Sequence, residues 1–291
     1  MTASTRNGYV PGRLTVHNDP AKLGGVTRAL RGTGRKIVLI PTMGALHDGH
    51  RELIRHARRI PGAVVPVVSI FVNPLQFGAG EDLERYPRPL KADVDACREE
   101  GVELVLVPRA EDMYPPGSDT RVVAGPLGDE LEGASRKGHF DGVLTVVSKL
   151  FHIVGPDVAM FGEKDYQQLT LVRRMVRDLY FPLDVVGVPT VREDDGLALS
   201  SRNAFLDAGQ RRRAAVLHRA LAAGASMSVR GPDAVLAAAR AELAGEPEVD
   251  VDYLAVRGVD LGPPPDSGAA RLLIAARFGA TRLIDNTPIT L

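Results

Sequence analysis

His47 and His50 stand three residues apart in the stretch PTMGALHDGH, residues 41–50. The stretch follows the apolar run KIVLI and precedes RELIRHARR, so a strand hands over to a helix at that point. A helix beginning near His47 puts both imidazoles on its first-turn face. The unpaired N–H groups and positive end of a helix N-terminus favour an anion. Gly44 and Gly49 let a phosphate come close to the backbone. The pattern suits a nucleotide triphosphate cradled by the turn, with both imidazoles donating to phosphoryl oxygens. Two surface histidines on an ordinary turn would show the same spacing. Metal binding is the weaker option, because no third ligand stands nearby.

Two other stretches offer similar chemistry. Lys164, in GEKDYQQ, comes just after an apolar run and can neutralise phosphate as a mobile point charge. Its bland alternative is a solvated surface lysine. Ser200, Ser201 and Arg202, in LALSSRN, supply two hydroxyl groups and a fork of guanidinium donors. A Ser-Arg turn between domains would look the same.

The elements that must position these residues alternate. KIVLIPT (36–42), AVVPVVSIFV (63–72), VELVLV (102–107), DVAMFG (157–162) and LDVVGVPTV (183–191) read as strands. GHRELIRHARRI (49–60), LKADVDACREEG (90–101), GVLTVVSKLFHIV (142–154) and YQQLTLVRRMVRDL (166–179) read as helices. Alternation of this kind predicts an α/β fold: a Rossmann-like, mostly parallel sheet flanked by helices. Such sheets bind ligands beyond the carboxyl ends of their strands, where the histidine and lysine stretches and FVNPLQFG fall. After about residue 190 the texture changes to Ala-rich helices followed by the antiparallel-looking VDVDYLAVRG and RLLIAARFGATRLIDN. The expected division is a nucleotide-binding domain over 1–189 and a smaller α+β domain over 190–291, the latter opening on the SSRN loop. The polar stretch 192–203 is the candidate hinge.

The chain has 291 residues, 44% hydrophobic and 25% charged, enough for a sizeable core. Lys plus Arg and Asp plus Glu both number 36, which gives no support to a nucleic-acid coat or a polybasic membrane module. The N-terminus lacks the apolar segment of a signal peptide, and no run nears the roughly 20 apolar residues of a membrane span. The single cysteine, Cys97, reads as a packing residue on a helix and suits a reducing cytoplasm. RRMVR (173–177) and RRR (211–213) read as solvated helix faces.

His47-Asp48-Gly49-His50 resembles the His-x-Gly-His signature of the nucleotidyltransferase superfamily, which includes class I aminoacyl-tRNA synthetases. A longer set of motifs is more specific: PTMGALHDGH, SIFVNPLQFGAGEDLERYPR, GHFDGVLTVVSKL, FGEKDYQQL and VPTVREDDGLALSSRN. Together, and in this order over nearly the whole chain, they are similar to the pantoate–β-alanine ligase (pantothenate synthetase) family. The resemblance implies ATP-dependent condensation of pantoate with β-alanine to pantothenate. Pantoyl adenylate is the implied intermediate, and AMP and pyrophosphate the by-products.

The resemblance also assigns residues. Met43, Gly44, Ala45, Leu46, His47, Asp48, Gly49 and His50 form the first ATP segment, with His50 at the proton-donor position. Gly162, Glu163, Lys164 and Asp165 form the second, with Asp165 on ribose hydroxyl groups. Val191 supplies a backbone contact to adenine, and Leu199, Ser200, Ser201 and Arg202 form the third segment. Gln76 and Gln168 are implied pantoate ligands, and a glutamine amide suits a hydroxy acid because it both donates and accepts. His47, His50, Lys164, Ser200, Ser201 and Arg202 are the implied catalytic set. A homodimer in the cytoplasm is the family expectation, with no nucleic-acid or membrane partner.

Two positions depart from the family pattern. Leu199 replaces a usual methionine, and in YPRPLKADVDACREEG the family's acidic residues and glutamine become Ala92, Asp93 and Ala96. Only Asp93 remains, so no side-chain metal site is expected, and Mg²⁺ would be held mainly by the ATP phosphates. His139 reads as a capping or packing residue, and Val143, Val146 and Val147 as an apolar wall or core. Two competing readings stay in view. One is a nucleotidyltransferase that stops after adenylyl or cytidylyl transfer. The other is a nonenzymatic RNA- or nucleotide-binding module, against which the balanced charge and absence of tryptophan weigh.

Overall fold

The computed structural model describes residues 9–78 and 80–291, which form two compact units. One comprises the described residues up to Gly162 together with Leu171–Val188; the other comprises Glu163–Thr170 and Pro189–Leu291. The expected boundary near 189 thus has an addition: the segment 163–170 groups with the smaller unit.

The first unit is a parallel sheet with helices packed on it. Its strands are β1 (Thr15–His17), β2 (Lys36–Thr42), β3 (Val64–Ile70), β4 (Leu104–Leu106), β5 (Val158–Gly162) and β6 (Asp184–Val188). They lie in the order β1-β4-β3-β2-β5-β6, and every pair is parallel. A parallel sheet covered on both faces demands apolar strands, and Ile37 through Ile40 are fully buried. The connecting helices are α1 (Pro20–Arg31), α2 (Asp48–Arg58), α3 (Leu90–Glu99), the single turns α4 (Ala110–Met113) and α5 (Glu132–Ser135), and α6 (His139–Val154). α7 (Tyr166–Asp178) follows β5. One core of this unit joins Val38, Ile40, Ile54, Val68, Cys97 and Met160.

Strands β2 to β6 and helices α2, α3, α6 and α7 occupy the stretches that the hydrophobic pattern marks out. That pattern does not mark out β1 or α1. A local signal for α1 is present: Asp19 caps it by accepting from the Ala21 and Lys22 amides, and Pro20 occupies the first turn. α6 ends at Gly155, whose φ of 58° is a left-handed stop.

The second unit packs α8 (Ala208–Ala214), α9 (Val216–Ser226) and α10 (Pro232–Leu243) with an antiparallel sheet. That sheet runs β7 (Asp250–Gly258), β8 (Ala269–Phe278), β9 (Thr281–Thr290), in that order. Its core includes Val216, Leu221, Val235, Leu272, Ile274 and Phe278. The Ala-rich run expected as one helix is divided at Ala215 into α8 and α9. Among the described residues no helix is long and apolar enough to cross a membrane.

Candidate active site

The histidine turn of the first unit grows from the end of β2. Thr42 Oγ1 donates to the Ser69 carbonyl at 2.8 Å and accepts from the Gly44 amide at 3.2 Å. The chain then takes two left-handed residues, Gly44 at φ 83° and Ala45 at φ 51°. A Cβ on Gly44 would lie 2.9 Å from Asp93 Oδ2 and 3.1 Å from Ile70 Cγ2, so glycine is required twice over. Asp93 reaches in from α3, only 1% exposed, and takes the Ala45 amide on Oδ2 at 3.0 Å and the Leu46 amide on Oδ1 at 2.8 Å. Charge-assisted bonds to two consecutive amides define the path of the strained turn.

His47 is the N-cap of α2. Its Nδ1 accepts from the Gly49 amide at 3.1 Å, and His50 Nδ1 accepts from the His47 amide at 3.3 Å. The rings sit 4.2 Å apart between centroids. This reciprocal box resembles the Ser-x-x-Glu cap, with imidazoles in both places. It has a chemical consequence. An Nδ1 that accepts carries no proton, so each neutral ring carries its proton on Nε2. Both histidines are thereby hydrogen-bond donors at Nε2.

Gln76 sits in a 3-10 turn, Pro74–Gln76, after β3. Asn73, 1% exposed, donates through Nδ2 to Gln76 Oε1 at 3.1 Å and to the Gly142 carbonyl at 3.0 Å. Asn73 Oδ1 accepts from the Leu75 amide and from Tyr114 Oη at 2.8 Å. With Oε1 so engaged, the NH₂ group of Gln76 donates to Met43 Sδ at 2.8 Å. A Cβ on Gly142 of α6 would fall 2.2 Å from the Leu75 carbonyl oxygen, so only glycine lets this turn lie against the helix.

The backbone of Gln76 is fastened as well. His139 Nδ1 donates to its carbonyl at 2.7 Å, and Arg136 Nη2 donates to the same oxygen at 3.2 Å. Arg136 Nη1 lies 3.0 Å from His139 Nε2, and a guanidinium can only donate. His139 is therefore neutral with its proton on Nδ1. Burial, and then the neighbouring Arg136 charge, push its pKa down to about 4. Glu81 in turn grips Arg136 at 2.6 and 2.9 Å. The capping or packing role expected for His139 is more specific than that: it holds the turn that carries Gln76. Val143, Val146 and Val147 are buried beside it on α6.

Cys97 is fully buried, and burial together with the Asp93 charge raises its thiol to about 12, a packing residue rather than a nucleophile. Among the described residues no three His, Cys, Asp or Glu side chains gather as a metal site. Asp93 has both oxygens committed to backbone amides.

In the second unit, Lys164 lies in the 3-10 turn Glu163–Asp165, its side chain 18% exposed and its ammonium 3.8 Å from Asp165 Oδ1. Gln168 follows on the first turn of α7, half-buried. Val191 to Leu199 form a small hairpin: Leu199 donates to the Val191 carbonyl at 3.0 Å, and Arg192 pairs with Ala198 across it. The hairpin delivers Ser200, whose Oγ accepts from the Arg202 amide at 3.3 Å and caps the 3-10 helix Ser201–Phe205. Ser200, Ser201 and Arg202 are half-buried.

Within the RRR cluster, expected as a solvated face, Arg212 is exposed while its two neighbours are half-buried in ion pairs. Arg211 forks onto Glu193 and Asp195 of the hairpin at 2.6 Å each, and Arg213 pairs with Glu248 at 3.0 Å. The hydrogen bonds from Arg211 hold the Asp195 carboxyl below its usual range.

The candidate residues thus fall into two sets. His47, His50, Met43 and Gln76 belong to the first unit, as does Gly162; Lys164, Asp165, Gln168, Val191 and Ser200–Arg202 belong to the second. Asp93, Asn73 and Arg136 were not among the candidates: Asp93 and Arg136 reach their partners across 48 and 60 residues, whereas Asn73 stands three residues before Gln76 in the same turn, a local Asn-Pro signal.

A family model described as pantoate-beta-alanine ligase matches residues 15–288. The chain is 62% identical to the pantothenate synthetase of Nocardia farcinica, over 98% of this chain and 89% of the relative. It is 61% identical to that of Mycolicibacterium smegmatis, over 99% and 92%. Among solved structures, the pantothenate synthetase of Thermus thermophilus superposes with a TM-score of 0.87 at 48% identity, covering 94% of this chain and 99% of that one. The pantoate-beta-alanine ligase of Francisella tularensis, complexed with beta-gamma ATP and beta-alanine, gives 0.79 at 32% identity, covering 94% and 97%.

Proposed function

This chain belongs to the pantoate–β-alanine ligase family, and from that premise we propose how its residues carry out the ligation. A carboxylate is a poor acylating agent because its oxygen is a poor leaving group. Pantoate is therefore activated first. One carboxylate oxygen attacks the α-phosphorus of ATP, the bond from that phosphorus to the β-phosphate bridge breaks, and pyrophosphate departs. The uncharged amine of β-alanine then attacks the pantoyl carbonyl. The C–O bond to AMP breaks, the nitrogen loses a proton, and pantothenate is formed.

The observation that carries this reading is the histidine box. Both Nδ1 atoms accept backbone amides, so His47 and His50 offer Nε2–H donors at the N-terminus of α2. Negative charge grows on the departing pyrophosphate, and preformed donors stabilise it without rearrangement. A neutral imidazole is a weak acid, so His50 acts as a hydrogen-bond donor and no proton need leave it.

Lys164 and Arg202 neutralise phosphate charge, while the hydroxyl groups of Ser200 and Ser201 donate to it. Asp165 accepts from ribose hydroxyl groups, and the Val191 backbone meets the adenine. Gln76 presents its NH₂ group to pantoate because Asn73 occupies its oxygen, and Gln168 supplies a second amide. Mg²⁺ accompanying ATP would be held mainly by the phosphates, while Asp93 keeps the Ala45 and Leu46 amides.

The test is exchange of labelled pyrophosphate into ATP. The expected result is exchange that requires pantoate but not β-alanine, with AMP released only when β-alanine is added. Exchange without pantoate, or a stable nucleotidyl product with β-alanine ignored, would instead indicate a transferase that stops after the first step.

A further inference from the structure

The smaller unit buries a polar frame that the proposed chemistry does not use. Arg271 on β8 is 7% exposed, and Asp285 and Asn286 on β9 are 2% and 4% exposed. Such groups are costly to bury in a small core unless each is fully bonded.

Each is bonded, and the partners form a pattern. Asn286 Nδ2 donates to the Glu163 carbonyl and to the Lys164 carbonyl, both at 2.9 Å. Its Oδ1 accepts from Arg271 Nη1 at 3.0 Å, and a guanidinium can only donate, so the amide has one orientation. Arg271 also donates to Glu163 Oε2 at 3.3 Å and lies 3.8 Å over the Tyr166 ring. Both amide hydrogens of Asn286 are therefore spent on the backbone of the turn that carries Lys164. The neighbouring Asp285 accepts two bonds from Arg192, at 2.6 and 3.0 Å, and Arg192 opens the hairpin that leads to Ser200. Successive residues of a strand point to opposite faces, which lets one dipeptide fasten both turns.

We propose that Asn286, locked by Arg271, is a positioning residue for adenylation. It fixes the backbone at Lys164 so that the ammonium meets the phosphates where charge develops. The inference rests on the reading of Lys164 as a phosphate-binding cation. A displacement of about 1 Å at such a cation lowers rate by about 100-fold, whereas mere loss of a core hydrogen bond lowers stability alone.

The test measures pantoate-dependent pyrophosphate exchange in Asn286→Ala, Lys164→Ala and the double variant. Asn286→Ala should lose about 10- to 100-fold in kcat with KM for pantoate nearly unchanged. In the Lys164→Ala background the same change should have almost no further effect, because the residue acts through the lysine. Losses that simply multiply, or an Asn286→Ala enzyme with parental kcat, would overturn the proposal while leaving the role of Lys164 intact. Parental exchange in Lys164→Ala would overturn the underlying reading instead. Should Asn286→Ala fail to fold, Arg271→Gln frees the amide while retaining Asn286. The same kinetic signature, smaller, is expected there, and its absence would count against the proposal.

Discussion

The turns of the first unit are fastened by a carboxylate and three imidazoles. Asp93 holds the histidine turn, two imidazoles cap α2 through unprotonated Nδ1 atoms, and a neutral His139 holds the Gln76 turn. The turns of the second unit are fastened by the Asn286 amide and by guanidinium groups set against carboxylates, Arg271 on Glu163 and Arg192 on Asp285. Both solutions bond side chains to backbone, so both preorganise their turns. They differ in what releases them. Acid that protonates His139, which burial holds neutral, should loosen the Gln76 turn.

The largest expected effect comes from removing a donor in either set. His50→Ala should lower pantoate-dependent exchange by about 100- to 1000-fold while costing about 1 kcal/mol of stability through the lost cap. Parental exchange rates would remove the histidine box from the site. Next is the anchor of the first set. Asp93→Ala strands two amides and should destabilise the fold by about 2–4 kcal/mol in urea unfolding. Asp93→Asn, which keeps one acceptor, should fall between. An alanine variant as stable as its parent would show that the turn holds itself.

A smaller effect belongs to the substrate side. Gln76→Ala should raise KM for pantoate by about 10-fold and leave KM for ATP nearly unchanged. Equal changes in both would mean that the turn, not the amide, was lost.

The folded state lowers the His139 pKa from 6.5 to about 4. The unfolded chain binds this proton more readily, so the contribution is fully present above pH 6.5 and declines as pH falls toward 4. Unfolding free energy should drop over that window by a few kcal/mol from this group, and His139→Gln should flatten the slope. Amide exchange along β8 and β9 should stay slow over the same window. Equal acid sensitivity in both units would erase the distinction drawn above. The least effect concerns Cys97: its buried thiol, raised to about 12, should resist alkylation at pH 8 until the first unit opens. Rapid labelling of the native chain would show a looser α3 than the packing implies.

Much of this was legible from residues alone because the signals are local. KIVLI reads as a buried strand, and a histidine spacing of three marks the first turn of a helix. The motif order located the turns. What escaped was whatever depends on partners far along the chain. Asp93 lies 48 residues from Ala45, and Asn286 lies 122 from Lys164. The sequence does hold a trace of the second case, since Asp285-Asn286 interrupts an apolar β-strand, as Arg271 does in AARLLIAARF. Polar residues in such places need partners, but one chain does not say which. β1 and α1 escaped for a different reason: the strand is only three residues long, and the helix announces itself by its Asp-Pro start more than by a strong apolar period.

The proposal that pantoate is activated on the α-phosphorus has a direct isotopic test. Pantoate labelled with oxygen-18 in its carboxylate is turned over with ATP and β-alanine, and the products are weighed by mass spectrometry. AMP should carry one labelled oxygen and pyrophosphate none, because the attacking carboxylate oxygen leaves with the adenylate. Unlabelled AMP, or label recovered in pyrophosphate or inorganic phosphate, would contradict the account.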